Sequence, residues 1–335
     1  MPGAYQRLSR FRSELMGLAA LWVMLFHAYP FSFHFFPLDA FKKLGFAGVD
    51  VFILLSAMGL YISLSRAADL PVSRFYLRRA KRILPTFWLV VGLYSLYLVL
   101  RSRIGWGVLV WNLSTLYYWF HIDGAFNWYI PAVLAFYVLS PLYTRLLRRC
   151  RYPGWLTAAM FPISYGLYRL TIPVHLNYTE DFVCRIPAFA LGMLMGRYLT
   201  DEQPLTRSHL TAWGRGSAIG WIVSALRLLN RLYISPCYLI GAQLVPVTLL
   251  TAGLTERLPE SVRKYLRMVG NSSLEIYLIN VILTREFDTL APYLDKGPGH
   301  LFYYAVVYTA NLLLGIGLHR LLDRRHSALP ASVAG

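Results

Sequence analysis

Apolar runs of about 18 residues or more recur along the whole sequence, and each is long enough to cross a bilayer as one helix. Of the 335 residues, 57% are hydrophobic and 15% are charged. A soluble domain carries about 25% charged residues. The chain therefore lacks the polar surface of a soluble protein, and we predict an all-α, polytopic membrane helix bundle.

The net charge of +17 comes from short Lys and Arg clusters between the apolar runs. In a soluble protein this charge would suggest nucleic-acid binding. Here the clusters RLSRFR, RFYLRRAKR, RLLRRCR and RKYLR are typical of cytoplasmic loops under the positive-inside rule. They also suit contacts with anionic lipid or an anionic cytosolic substrate. We therefore predict no nucleic-acid partner.

We predict about ten transmembrane helices, with both termini in the cytoplasm. The segment 104–120 is apolar enough to span, but placing it in the outer interface puts every strong basic cluster on one side. We interpret residues 1–335 as a single integral membrane domain without an appended soluble domain or a cleavable signal peptide. The predicted spans are 14–31, 45–65, 83–100, 128–147, 155–171, 183–199, 216–233, 236–254, 271–288 and 301–322.

Some residue types indicate a structural role. The three cysteines, Cys150, Cys184 and Cys237, show neither metal nor disulfide spacing, so we interpret them as thiols that fill space in or near helices. The pair Gly192 and Gly196 favours close helix packing within or between chains. Oligomerisation is compatible with this pattern.

Ionisable side chains inside predicted spans mark candidate functional sites, because a charge in hydrocarbon is costly. His27 is either a core histidine hydrogen-bonded to a neighbouring helix or a general base. Asp50 is either a carboxylate stabilised at a helix N-terminus, or a group that orients His27 or binds a polar substrate group. The further candidates are Arg185, Arg227, Glu275, Arg285 and Glu286.

The segment RFYLRRAKRILPTFW carries five cations between Arg74 and Arg82. One interpretation is a topology signal. However, Arg79 and Arg82 fall at i and i+3 on one helix face, where paired guanidinium groups can bind phosphates by bidentate contacts. The segment therefore also predicts a site for a nucleotide-bearing donor in the cytosol.

Four segments, in their order along the chain, resemble the membrane-bound acyltransferase family 3. The bacterial members of that family move acyl groups, mostly acetyl, onto sugars and other hydroxyl acceptors. The segments are ELMGLAALWVMLFHA, GVDVFILLSAMGLYI, FYLRRAKRILPTFW and RIPAFALGMLMGRYL. NWYIPAVLAFYVLSPL and GNSSLEIYLINVIL agree with family patterns more loosely, so the resemblance covers nearly the whole chain.

The resemblance implies a role for each matching residue. His27 would be the base that deprotonates the acceptor hydroxyl, and the basic loop would contact an acyl-coenzyme A donor, with no metal involved. Asp50 and Arg185 would shape the polar centre of the bundle. The expected site residues are His27 and Asp50 for catalysis, Arg78, Arg79 and Arg82 for acyl-coenzyme A, and Arg185, Glu275 and Trp128 for the substrate.

The chain departs from the family pattern at several positions. The family usually carries Arg or Lys eleven residues before the histidine, where this chain has Met16, and Arg12 one turn earlier is a candidate replacement. The family's LSGF reads LSAM, and its late YLxH histidine is Asn280. These departures indicate either a divergent subfamily with an unusual acceptor or an inactive relative.

We interpret the chain as an O-acyltransferase of the bacterial cytoplasmic membrane. It would move an acyl group, which the resemblance implies is acetyl, to a hydroxyl of a sugar or other cell-envelope acceptor, either a glycan or a lipid-linked molecule. The sequence leaves open whether the acyl group is transferred directly or through a covalent acyl-enzyme. Ser56, near Asp50 on the same predicted span, is the hydroxyl considered for a covalent intermediate. The alternative is a transporter or flippase for an anionic or glycolipid substrate, with ionisable groups along its pathway.

Overall fold

The computed structural model describes residues 3–28, 31–66, 71–120, 127–171, 179–203, 205–228, 236–287 and 298–328, apart from the side chains of 224–228, 287, 298–299 and 324–328. These residues form helices and no strand, which confirms the all-α prediction. The helices are α1 (Ala4–Arg10), α2 (Arg12–Phe26), α3 (Phe36–Lys43), α4 (Ala47–Arg66), α5 (Val72–Leu100), α6 (Trp106–Ser114), α7 (Tyr129–Arg149), α8 (Pro153–Thr171), α9 (Glu180–Val183), α10 (Ile186–Thr200), α11 (Arg207–Leu228), α12 (Pro236–Glu256), α13 (Glu260–Asn271), α14 (Ser273–Phe287) and α15 (Pro298–Ala328).

Six helical segments in the described chain are long and apolar enough to cross a bilayer. The other predicted spans coincide with α2, α8, α11 and α14, which are shorter or less apolar, so the count of ten is not confirmed. The cytoplasmic position of both termini stays a prediction. The six segments are Phe36–Arg66, Val72–Leu100, Tyr129–Arg149, Glu180–Thr200, Pro236–Glu256 and His300–Asp323.

Two segments that we predicted as cytoplasmic loops are largely helical. The basic cluster RFYLRRAKR lies in the first turns of α5, and the cluster RKYLR lies within α13. Both segments carry many charges, so a hydropathy pattern indicates a loop. A charged helix end is equally polar, and the pattern does not distinguish the two. By contrast, the nine-residue α6 is only about 14 Å long, too short to cross a core of about 30 Å, in agreement with an interfacial segment at 104–120.

Helices α4 and α10 form the most extensive helix pair of the bundle. A Cβ atom at Gly192 would lie 2.8 Å from the Cβ of Ala57, and one at Gly196 would lie 2.7 Å from the Cβ of Tyr61. The two glycines therefore allow close approach of the backbones. This confirms close packing at the glycine pair and locates it within the chain.

Helix α13 packs against α2 by a similar close approach. A Cβ atom at Gly270 would lie 2.8 Å from the backbone nitrogen of Gly17. Beside this crossing, Arg267 donates from Nε and Nη2 to Oε1 of the buried Glu14, at 2.9 and 2.7 Å. The contacts fix the α2 backbone, which carries His27 at its end.

The α4–α10 crossing gives a stability prediction. Gly192→Ala places a methyl group against α4, and this overpacking should destabilise the fold by about 1–3 kcal/mol. The matched control is Gly166→Ala in α8, where the new Cβ would have no atom within 4 Å apart from the neighbouring backbone of its own helix. Because alanine favours helix over glycine, the control should be neutral or stabilising. Thermal unfolding of the detergent-solubilised variants measures both effects, and equal melting temperatures would contradict the packing account.

Candidate active site

His27 lies at the C-terminal end of α2, just beyond Phe26. Its backbone nitrogen donates to the carbonyls of Val23 and Met24, both at 3.1 Å, so the residue continues the last helical turn. The ring Nδ1 lies 2.9 Å from the carbonyl oxygen of Val23 and 3.2 Å from Nδ2 of Asn280 on α14. The imidazole is thus held through Nδ1.

Lys42, at the end of α3, fixes the segment that follows His27. Its side chain is buried, and Nζ donates to the carbonyl oxygen of Ala28 at 2.7 Å and to that of Phe31. A cation is favoured at the C-terminal carbonyls of a helix because it interacts with the helix dipole. Sequence reasoning missed this residue; its only signal is a lysine pair in an otherwise aromatic and apolar segment.

His27 lines a cavity of about 730 Å³, which we call the His27 cavity. Its walls come from the ends of α2, α10, α12 and α14 and from the segments beside them. They combine aromatic, charged and thiol side chains. The lining residues are Val23, Phe26, His27, Phe46, Val49, Trp128, Glu180, Asp181, Cys184, Arg185, Pro236, Cys237, Tyr277, Val281, Thr284 and Arg285.

Arg185 connects the His27 cavity to the buried Asp50. Its Nε lies 3.7 Å from Oδ1 of Asp50, and both side chains are almost fully buried. Nη1 donates to the carbonyl and to Oδ1 of Asp181, at 2.7 and 3.2 Å, and the guanidinium carbon lies 4.6 Å from the ring centroid of Trp128. The structure therefore brings Asp50, Arg185 and Trp128 together.

Asp50 does not hydrogen-bond His27. Neither of its carboxylate oxygens has a hydrogen-bond partner in the part of the chain that the structure describes, and its ion-pair partner is Arg185. The side chain that contacts the imidazole Nδ1 is that of Asn280. The structure gives no support to Asp50 as the group that orients His27, and its role in catalysis stays a prediction.

Arg79 and Arg82 line one cavity of about 80 Å³, the Arg79 cavity, as their i, i+3 spacing predicts. The guanidinium carbon of Arg79 lies 5.5 Å from the ring centroid of Phe75 and 5.9 Å from that of Tyr137, which holds the group in place. The other lining residues are Arg12, Met16, Val23, Val49, Phe52, Ser56, Leu60, Ile83, Tyr129, Ile130, Val133, Tyr137, Ser273, Leu274 and Tyr277.

Arg78 lines a third cavity, of about 890 Å³, which we call the Arg78 cavity. Three arginines and one glutamate give it a net positive charge, which suits an anionic ligand. The guanidinium group of Arg12 packs directly on Gly59 in the wall of this cavity. A Cβ atom at Gly59 would lie 2.9 Å from the guanidinium carbon. The lining residues are Ser9, Arg12, Met58, Gly59, Ile62, Ser63, Arg66, Arg78, Leu199, Thr200 and Glu202.

The three cavities form a row through the bundle. Arg12 lines both the Arg78 cavity and the Arg79 cavity, whereas Val23, Val49 and Tyr277 line both the Arg79 cavity and the His27 cavity. The 15 residues of α10 separate Arg185 at the His27 cavity from Thr200 at the Arg78 cavity, which is about 22 Å of helix. The two large cavities therefore lie at opposite ends of the bundle.

Glu275 is not among the residues that line these three cavities. Its Oε1 accepts a hydrogen bond from Thr86 at 3.4 Å, and its Oε2 lies 3.4 Å from Nδ1 of His319 on α15. Glu286 accepts from Tyr94 at 2.7 Å and from Arg103 at 2.9 Å. Both carboxylates thus have structural partners. Of the other sequence candidates, Arg285 lines the His27 cavity, and the side chain of Arg227 lies outside the described residues.

Sequence reasoning missed several residues of the site. Asn311 on α15 donates to Oδ1 of Asn280 at 3.0 Å, although Asn280 had entered only as a departure from the family pattern. Cys184 and Cys237, which we interpreted as space-filling thiols, belong to one buried cluster at the wall of the His27 cavity. A polar residue in an apolar run was the available signal for Asn311.

Comparison with known proteins identifies the family. A family model described as an acyltransferase domain, that of acyltransferase family 3, matches residues 15–320. Comparisons with curated proteins and with solved structures found no match. The match covers most of the chain and favours the enzyme interpretation over the transporter. The chain thus belongs to acyltransferase family 3, as a multi-pass membrane protein with an acyltransferase domain.

Proposed function

We propose that this protein is an O-acyltransferase that moves an acyl group, namely acetyl, from cytosolic acyl-coenzyme A to a hydroxyl of a sugar or another cell-envelope acceptor. The observation that carries the proposal is the row of three neighbouring cavities, which extends from clustered arginines at one end of the bundle to His27 at the other. A two-substrate transfer across a membrane needs such a row, because each substrate enters from its own side.

The arginine end suits the nucleotide part of the donor. Arg12, Arg78, Arg79 and Arg82 line the two cavities at that end and can bind phosphates through charge-assisted hydrogen bonds. Basic clusters favour the cytoplasmic side of a membrane, where acyl-coenzyme A is made. We assign this end to the cytosol and the chain to the cytoplasmic membrane.

The narrow Arg79 cavity suits the thin, neutral pantetheine arm of the donor. Its walls are mostly apolar and aromatic, and Met16 lies there in place of a basic residue. Arg12, one helical turn earlier, lines the same cavity and supplies the positive charge that Met16 lacks. The arm would lead the thioester toward the His27 cavity through the wall that Val23, Val49 and Tyr277 share.

The His27 cavity suits the acceptor. Trp128 and Tyr277 offer ring surfaces, and Asp181 and Arg185 offer hydrogen-bonding groups for hydroxyls. His27 takes the hydroxyl proton as the acceptor oxygen attacks the thioester carbonyl, the carbon–sulfur bond breaks, and the departing coenzyme A sulfur receives the proton. The products are an ester and free coenzyme A, so atoms and charge balance.

A first test removes the base. His27→Ala should lower the acyl transfer rate by about 10²–10⁴-fold, the contribution of a general base. The measurement is release of coenzyme A thiol, and of acyl label into the acceptor fraction, from acetyl-coenzyme A and membranes that contain the protein. His34→Ala, at an exposed position, is the control and should keep the rate. Unchanged turnover in His27→Ala would remove the proposed mechanism.

A second test addresses the donor site. Arg79→Gln and Arg82→Gln each remove a charge-assisted hydrogen bond of about 1.5–3 kcal/mol, so coenzyme A binding should weaken at least about tenfold. Binding to purified protein is measured by calorimetry.

Arg74→Gln is the matched control for this test. It makes the same charge change on the same helix, at an exposed residue outside the linings of the three cavities. Coenzyme A should bind this variant as it binds the wild type. Equal effects of all three substitutions, or a loss of membrane insertion alone, would reduce the arginine pair to a topology signal.

A further inference from the structure

The contacts of His27 Nδ1 determine which ring nitrogen can act as the base. Nδ1 lies 2.9 Å from the carbonyl oxygen of Val23, and a carbonyl oxygen can only accept. Nδ1 must therefore carry hydrogen. A neutral imidazole has a single N–H, so its lone pair lies on Nε2, and Nε2 is the nitrogen that can take a proton.

Asn280 lies against the same Nδ1, at 3.2 Å, and Asn311 lies behind it at 3.0 Å. Asn280 is 1% exposed and Asn311 is 0% exposed, so neither carboxamide can turn to water for its hydrogen bonds. A buried amide without a partner is costly. Rotation of one carboxamide is consequently tied to rotation of the other.

One orientation of the two carboxamides gives both the imidazole Nδ1–H and Oδ1 of Asn311 a partner on Asn280. With Oδ1 of Asn280 toward His27, that oxygen and the carbonyl oxygen of Val23 share the single Nδ1–H in a three-centre hydrogen bond, and Nδ2 of Asn280 then faces Asn311. Oδ1 of Asn311, which is buried and lacks a hydrogen-bond partner in the described structure, can accept from that Nδ2. Rotating both side chains by half a turn about their terminal bonds produces this arrangement.

We propose that Asn280, supported by Asn311, is a positioning residue that keeps Nδ1 of His27 protonated and stabilises the imidazolium formed when Nε2 takes the acceptor proton. The inference rests on the proposed role of His27 as the base. The proton moves from the acceptor hydroxyl to Nε2 and then to the departing sulfur, while the Nδ1 proton stays in place. Asn280 does not touch the reacting atoms.

Three further hydrogen bonds hold the backbone on either side of the ring and at Asn280. Tyr308, on the same helix as Asn311, donates to the carbonyl of Met24 at 2.5 Å, and Lys42 holds the carbonyl of Ala28. Thr284 donates to the carbonyl of Asn280 at 2.8 Å. Tyr308 joins α15 to α2, and the contacts of Asn280 with His27 and Asn311 join α14 to both, so the three helices are fixed relative to one another around the imidazole.

The closing experiment compares kcat, KM for acetyl-coenzyme A and the pH profile among variants at residue 280. Asn280→Leu should lower kcat about tenfold or more, part of the 10²–10⁴ that a general base contributes, with KM unchanged. In Asn280→Asp the carboxylate favours the imidazolium, and the base must be neutral, so the acid limb of kcat should move about one pH unit or more upward.

A matched control separates this positioning role from a structural one. Asn112→Leu removes a buried amide on α6 that is hydrogen-bonded to Ser95 and does not line the His27 cavity, and it should leave the pH profile in place. The titratable groups that share the His27 cavity are unchanged in every variant. They are Glu180, Asp181, Cys184, Arg185, Cys237, Tyr277 and Arg285, with Asp50 behind Arg185.

The outcomes distinguish this inference from the proposed function. Asn280→Leu should cause no further loss in a His27→Ala background, because Asn280 acts through His27. An Asn280→Asp profile that superimposes on the wild type, or full kcat in Asn280→Leu while His27→Ala is inactive, would overturn the positioning role alone. Full activity of His27→Ala would overturn the proposed function itself.

Discussion

A buried ion pair between Asp50 and Arg185 is the interaction on which the candidate site depends. An isolated charge in an apolar bundle is very costly, so each of these side chains requires the other. The close crossing of α4 and α10, permitted by Gly192 and Gly196, brings the two together. Arg185 then reaches Trp128, and these two side chains form part of the wall of the cavity that contains His27.

Local features of the site could be predicted from sequence because they follow from helix geometry. The spacing of Arg79 and Arg82 predicts a common face, and both line one cavity. The glycine pair predicts a close crossing, which the bundle contains. Apolar runs predict the helices correctly. They do not predict how many helices cross the membrane, because a helix that is broken or ends in charged residues has the same apolar pattern as a helix that crosses it.

Features that depend on residues far apart in the chain could not be predicted. His27 and Asn280 are separated by 253 positions, and nothing local in either segment indicates their contact. Asn311 reaches Asn280 only because α14 and α15 pack together. Lys42 was missed for a related reason: its ammonium group caps carbonyls beyond α2, and a lysine near an aromatic loop resembles an interfacial anchor.

The central claim is that the row of cavities carries the donor from the arginine end of the bundle to His27. A structure of the protein with bound coenzyme A tests this most directly. The account predicts the nucleotide phosphates at Arg79 and Arg82, and the pantetheine arm directed through the Arg79 cavity with its thiol toward His27. Nucleotide bound elsewhere, or a thiol directed away from the His27 cavity, would contradict it.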